Sequence, residues 1–482
     1  MQPSPAPEPS AAGATKRLLP WLVAVAFFME ALDTTILNTA VPAIARALGV
    51  APLSMKSVLS SYTLSLAVFI PVSGWVAMRF GTRRVFASAI ALFTLGSLLC
   101  GLSSNIHVLV VCRIVQGCGG AMMLAVGRLT MVRTFAKSEY LQALSFVAIP
   151  GLVGPMIGPT VGGFLIEYFH WSVIFFVNIP IGLVGLWMVY RHLPDYREDH
   201  TYPLDIVGFV LFGAGVALLS YVLEVFGEHT LAVTTILGLL VLAAALLAAY
   251  GVNSLRIERP LLQLGLFSQR TFRASNVGSF VTRLGLGGIA FLLPLLYQVG
   301  FGFNAIKSGL LIMPLPFAAM SLRFVIPKLL RRFGYRRVLI GDVLALAVTL
   351  SLFATIAAGT PLWLIVPMVF ALGFMQSILF TSLNTLSIAD VTDAQASNAS
   401  TISSTVQQLS LSFGIASASL VTAVFVPDRF HTDPSEMIQG IHRAFLVLGA
   451  WMAVTAFAFV RLRNSDGAAV SLYRARKTFV SS

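Results

Sequence analysis

The sequence predicts an all-α integral membrane protein of fourteen transmembrane helices, built as two six-helix bundles with two further helices inserted between them. Three observations carry that prediction. The 482-residue chain is 57% hydrophobic and 11% charged, against roughly 25% charged residues in soluble domains. Apolar stretches of about 20 residues, enough to cross some 30 Å of hydrocarbon, recur from end to end. A short basic turn is also written twice. Arg79-Phe80-Gly81 and Arg83-Arg84-Val85 return as Arg332-Phe333-Gly334 and Arg336-Arg337-Val338, all at one offset (332 − 79 = 253).

The elements follow in order. A Pro/Ala/Ser-rich tail over 1–18 is expected to be disordered and cytoplasmic, with no apolar region ending in a cleavage site. Spans at 19–44, 54–78, 85–103, 107–132, 141–166 and 170–191 make the first bundle, 19–192. Two inserted spans, 204–226 and 231–251, come next. Spans at 275–298, 306–329, 336–357, 362–389, 398–426 and 440–462 make the second bundle, and a tail fills 463–482. Each copy of the basic turn then joins the second span of a bundle to the third. A repeat at matching places in two halves is the mark of a transporter made of related bundles.

The net charge of +13 is not gathered on one domain, so nucleic acid is not an expected partner; the lipid bilayer is. The basic residues sit in short clusters between apolar segments, and an even span count puts both termini on one side. Lys16, Arg17, Arg79, Arg83, Arg84, Arg133, Lys137, Arg256, Arg259, Arg331, Arg332, Arg336, Arg337, Arg474, Arg476 and Lys477 fall on that side. Arg46, Lys56, Lys307, Arg429 and Arg443 fall on the other. Both termini are therefore expected in the cytoplasm. Cys100, Cys112 and Cys118 lie in spans without paired spacing and read as apolar packers, with neither disulfide nor metal.

Ionisable residues inside spans are functional candidates by default. In FFMEALDTTILNTAVP, Glu30 and Asp33 share one helix face, with Asn38 a turn beyond. Desolvation disfavours a charged carboxylate, so a carboxyl group at this depth suits proton coupling. The alternative is a carboxylate fixed to an arginine for structure alone. In RIVQGCGGAM, Arg113 and Gln116 are one turn apart, and Arg113 is expected to face a water-filled cavity and hold a carboxylate or an anionic substrate. In IPGLVGPMIGPTVGG the Gly-Pro pair returns after four residues, which suggests close helix crossing and a bend that changes between conformations. The second half offers Arg283, Gln376, Asn384, Gln407 and Gln408 as cavity candidates. Arg323 lies near enough to the cytoplasmic end to snorkel, and Glu224 in the inserted pair is given no transport role.

These stretches resemble the major facilitator superfamily, and within it the fourteen-span drug:H⁺ antiporters of the EmrB/QacA type, closest to the MdtD-type multidrug-resistance branch. ALDTTILNTAVPAIA resembles the first-helix signature, RIVQGCGGA the fourth-helix motif, and WSVIFFVNIPIG the sixth-helix run. GPMIGPTVGG resembles the fifth-helix antiporter motif, with Ser145 where an upstream glycine is usual. The resemblance implies that Asp33 and Arg113 are the proton-coupling and cavity pair. It also implies that Gly154, Pro155, Gly158, Pro159, Gly162 and Gly163 favour antiport over uptake. GWVAMRFGTRRV resembles the loop between second and third helices, with Gly74, Arg79, Gly81, Arg83 and Arg84 in register, and Arg332, Gly334, Arg336 and Arg337 forming its second copy. The family's loop carries an aspartate that helps hold the cytoplasmic gate. Here Met78 stands at that position, and whether Glu139 or another acid takes its place stays open.

The expectation is a proton-driven exporter of small molecules or drugs in a bacterial inner membrane, working by alternating access around a midplane cavity. It needs no cofactor beyond the proton motive force. The rival substrate class is a small organic anion such as citrate or a metal–citrate complex, because Arg113 and Arg283 oppose few acids. A sensor or assembly partner would call for an added soluble domain, and an enzyme for metal spacings, a nucleotide loop or a nucleophile elbow; the sequence offers none of these. A functional monomer is expected, and nothing in the loops demonstrates a periplasmic adaptor.

Overall fold

The computed structural model describes residues 9–135, 137–198, 202–226, 232–321, 324–392, 395–426, 433–463 and 466–467. Arg323, Arg429 and the C-terminal Arg474, Arg476 and Lys477 lie outside them. The helices of the first half are α1 (Pro9–Leu48), α2 (Lys56–Phe80), α3 (Thr82–Gly101), α4 (Ile106–Thr134), α5 (Lys137–Tyr168), the short α6 (Val173–Phe176) and α7 (Asn178–His192). α8 (Ile206–Phe226) and α9 (Val233–Arg256) follow. The second half holds α10 (Arg270–Leu286), α11 (Ile289–Leu295), α12 (Ala305–Ile312), α13 (Pro314–Ser321), α14 (Val325–Phe353), α15 (Leu362–Ser387), α16 (Ala396–Phe425) and α17 (Pro434–Val460). Every described element is helical, as a chain in lipid requires when each backbone N–H and C=O must bond within its own segment.

Twelve of these helices are long and apolar enough to cross a membrane, or thirteen if the bent pair Ala305–Ser321 and Val325–Phe353 counts as one span. The expected spans at 306–329 and 336–357 both fall within that pair. α14 changes direction inside, at Gly334 (φ 75°, ψ 162°), so its arms are separate helices. Gly81, between α2 and α3, has φ 97°. The two glycines sit at the repeat offset (334 − 81 = 253) and give each basic turn the positive φ that a β-carbon would resist. At the N-terminus α1 begins at Pro9, inside the segment expected to be disordered, where Ala11, Ala12 and Ala14 are good helix formers.

α1 packs along α5, α2 and α3 along α4, α14 along α17, and α10 along α16. The halves meet where α2 lies on α16, α5 on α12 and α1 on α11. α8 and α9 pair with each other, and α8 rests on both α2 and α16 at the edge of that seam. Lys56 Nζ donates to the Glu224 carbonyl (2.9 Å), pinning the start of α2 to the end of α8.

The seam is closed on one side. Ser412 Oγ donates to the Ser60 carbonyl (3.1 Å), Ser419 Oγ to Leu53 (3.2 Å) and Gln298 Nε2 to Thr39 (2.9 Å). There too the Gly163 backbone lies on the Ala305 carbonyl and Gly309 on that of Pro159, so close that an added β-carbon would overlap either one. Toward the side of the basic turns the seam opens into a cavity.

A buried charge cluster and an open cavity

Polar residues of the first half converge inside its core. Arg113 Nη1 donates to Asp33 Oδ2 (2.6 Å) and to Gln116 Oε1 (2.6 Å). Gln116 Nε2 donates in turn to Asp33 Oδ1 (2.8 Å) and Ser97 Oγ (2.7 Å). Asn178 Nδ2, from α7, donates to the same Asp33 Oδ1 (2.8 Å). Arg113 Nε reaches the Val58 carbonyl (3.4 Å), and its guanidinium lies 4.1 Å from the centre of the Tyr62 ring. Asp33 is 3% exposed and Arg113 1%. Five helices thus hold one ion pair away from water.

Local sequence explains how they come so close. On α4 the row Gly117-Cys118-Gly119-Gly120 admits the backbones of α2 and α3, which brings Tyr62 and Ser97 to Arg113 and Gln116. On α5, Gly154 meets Ala31 and Gly158 meets Thr35, so α1 lies in the groove of the fifth-helix motif with Asp33 turned inward. Gly162 lies on Ile36, while Gly163 turns to the other half. The motif therefore packs α5 both within its own bundle and across the seam. Pro150, Pro155 and Pro159 all lie inside α5.

The cavity between the halves measures about 960 Å³. From the first half it is lined by α2 and α4, including Gly74, Trp75 and Arg128, and from the second by Arg283, Gln376, Phe380, Gln407 and Gln408. Arg128 and Arg283 are its charged lining residues, and among the described residues no carboxylate lines it. Arg283 is bonded to Ser279 Oγ, and its guanidinium stacks 3.9 Å from the centre of the Phe380 ring.

The structure sorts the sequence candidates into places. Asp33, Arg113 and Gln116 form the cluster; Gln116 belongs there and not to the cavity. Arg113 faces the bundle core instead of the expected water-filled cavity, because α1 and α2 close over it with Asp33, the Val58 carbonyl and the Tyr62 ring. Glu30 is half-buried and outside the hydrogen-bonded cluster, and Asn38 is half-buried and does not line the cavity. Gln376, Gln407 and Arg283 do line it, while Asn384 does not; it is exposed and accepts from Gln407 Nε2 (2.7 Å). Arg79, Arg84, Arg332 and Arg337 are exposed on the turns, and Arg83 and Arg336 are half-buried.

Sequence reasoning missed Ser97, Asn178, Tyr62 and Arg128. An asparagine inside the apolar run VIFFVNIPIG was a usable signal. A serine or tyrosine in a span carries no comparable one.

The family model of the Major Facilitator Superfamily matches residues 23–415. The chain belongs to this superfamily. It is 40% identical over 442 residues to MdtD of Serratia proteamaculans (strain 568), a candidate multidrug resistance protein, covering 92% of each chain. Its identity to MdtD of Escherichia coli (strain K12) is 38% over 458 residues, covering 95% of this chain and 97% of that one. Among solved structures it superposes on a bacterial homologue of the human lysosomal transporter Spinster, in an inward-facing and unoccupied conformation, with TM-score 0.67 at 13% identity over 94% of this chain and 97% of that one. The chain is thus a membrane-spanning transporter of the superfamily with multidrug-resistance relatives.

Proposed function

We propose that this transporter exchanges protons for small molecules or drugs, exporting them across a bacterial inner membrane by alternating access. The observation that carries the reading is the buried Asp33–Arg113 pair. An ion pair out of water holds only while both charges and their hydrogen bonds stay matched. A proton arriving on Asp33 cancels one charge and leaves Arg113 uncompensated in the core. That penalty favours a rearranged bundle in which Arg113 finds another partner, and proton loss restores the present arrangement. Gln116, Asn178 and Ser97 position the carboxylate, and the α5 glycines let α1 shift against its neighbour and across the seam.

In this reading the basic turns face the cytoplasm, as the positive-inside rule requires, and both termini lie there. The cavity is then inward-facing. Counting the arms of α14 on either side of Gly334 in separate spans gives fourteen, with α8 and α9 as the inserted pair. The chain works as a monomer, with the proton gradient as its only energy source. Ethidium transport into inside-out proteoliposomes tests the reading: an imposed inside-acid gradient drives accumulation, and equal accumulation after an uncoupler collapses the gradient contradicts it.

A second reading, export of a small organic anion such as citrate, draws on the cavity lining, where Arg128 and Arg283 are the charged residues. Arg283→Ala separates the two substrate classes. It abolishes labelled-citrate transport and spares ethidium if anions are the cargo; equal loss of both contradicts that reading.

A further inference from the structure

The second half buries an acid that the Asp33–Arg113 pair does not involve. Asp342 stands on α14 beyond the turn glycine Gly334 (342 − 334 = 8). At 1.5 Å per residue it lies about 12 Å along the helix, inside the span. It is 7% exposed, and its Oδ2 has no hydrogen-bond partner among the described residues. Asp33, which is as well hidden from water, is held by Arg113, Gln116 and Asn178. Two buried carboxyl groups thus have opposite company, one a full set of donors and the other none.

Contacts above and below Asp342 show what faces it. Tyr335 Oη donates to Thr385 Oγ1 (3.0 Å), and Thr349 Oγ1 to Met375 Sδ (3.4 Å). Both residues are two helical turns from Asp342 on the same face of α14, so Asp342 meets α15 between Met375 and Thr385. From Leu362 to Ser387, α15 carries no titratable side chain. On the face toward α14 it presents Ser382, whose Oγ is buried and likewise without a partner among the described residues.

α17 covers the other flank, with Gly449 against Ser351 and the Phe445 and Phe353 rings 5.6 Å apart. Its titratable residues, Glu436, His442 and Arg443, all precede Phe445 and so lie beyond Phe353. That is more than about 16 Å from Asp342 along the helix. Arg461 and Arg463 are exposed past the end of α17, and Arg336 and Arg337 fall on other faces of α14 near the turn. Arg283 sits at the cavity across α15, where Phe380 stacks on it from the face opposite Ser382.

We propose that Asp342 is a second proton-binding site of this transporter, loaded in the present conformation and emptied only when α14 and α15 part to admit water. An ionised carboxylate inside a span needs a counter-charge or water, and this interface offers a hydroxyl among apolar side chains. A neutral carboxyl group needs neither. The inference rests on the proton-exchange reading and adds a second proton to it. Asp342 takes that proton from the outer side and delivers it to the cytoplasm with the one from Asp33. Asp33 remains the switch, because its proton unbalances a buried ion pair. Asp342 has no such pair to unbalance, so it follows the rearrangement and does not drive it.

Two readouts test this, and the first needs no transport. Infrared spectra of the purified protein in a maltoside detergent, which has no ester carbonyl, are compared at neutral pH for wild type and Asp342→Asn. A protonated carboxyl group gives a carbonyl band that shifts on transfer to D2O, and the variant should lose one such band. In inside-out vesicles the protons released per ethidium taken up should fall about two-fold in Asp342→Asn, since one of two intramembrane carriers is gone. Asp342→Glu, which keeps a carboxyl group, should release protons at the wild-type ratio. An unchanged carbonyl region overturns the proposal, because the carboxylate is then ionised. A lost band with an unchanged proton-to-ethidium ratio overturns it as well. If the wild type releases no protons on addition of ethidium, the exchange reading fails, and the band alone decides whether Asp342 holds a proton.

Discussion

Two arginines of this protein are both almost wholly buried in their own halves, and they are held in opposite ways. Arg113 is matched by a carboxylate, an amide oxygen, a backbone carbonyl and an aromatic face. Arg283 has a hydroxyl and an aromatic ring, with no carboxylate lining the cavity it faces. A charge that is already neutralised can be switched by a proton on its partner. A charge left without an acid is available to something that enters the cavity. Under the proposed exchange, the difference gives the proton a site in the first half and leaves Arg283, with Arg128 of the first half, to face the cargo.

The same substitution at the two sites tests that division, and the largest effect falls on the first. Arg113→Ala leaves Asp33 buried and short of its main partner, at a cost of about 3–5 kcal/mol. A large fall in thermal stability in detergent and loss of transport are expected. Replacing both partners together, Asp33→Asn with Arg113→Gln, should recover most of the stability and none of the proton coupling. Recovery of transport in that double variant breaks the comparison.

Gly163→Val comes next, because its side chain would collide with the Ala305 carbonyl on the closed side of the seam. Uptake should fall at least about ten-fold, as a close backbone contact between helices is lost, while the Asp33 cluster stays intact. Faster amide exchange at Ser308 and Gly309 would report the opened seam. Asn178→Ala removes one neutral donor from Asp33. Hydrogen bonds to charged groups contribute about 1.5–3 kcal/mol, so roughly a ten-fold or greater loss in transport rate is expected, and an unchanged rate would remove Asn178 from the cluster's working parts. Arg283→Ala sits at the bottom of the scale for stability. With no acid orphaned, the loss is that of one neutral hydrogen bond and the stack on Phe380, so its stability should fall by only about 1–2 kcal/mol. A drop as large as that of Arg113→Ala would show that Arg283 has a structural counter-charge after all.

How much of this was legible beforehand depends on the kind of signal. Twelve of the span positions were, because hydrocarbon thickness fixes the length of an apolar run; the bend joining Ala305–Ser321 to Val325–Phe353 was not. The doubled turn was as well, since Gly81 and Gly334 both need a positive φ and the arginines on either side mark a water-facing end. Asp33, Arg113 and Gln116 stood out because charge is costly inside a span, and the structure joins all three. Their depth did not stand out. Spacing along α4 puts Arg113 on a face, and only the packing of α1 and α2 decides that the face is closed. Ser97 and Tyr62 gave no warning, being ordinary residues of apolar helices until the α4 glycines bring them near.

The central claim is that Asp33 carries the proton that is exchanged for cargo. The most direct measurement is proton release from inside-out vesicles, read by a pH-sensitive dye after ethidium is added to wild type and to Asp33→Asn at matched amounts in the membrane. The account predicts release from the wild type and none from the variant. Release at the wild-type level from Asp33→Asn would contradict it.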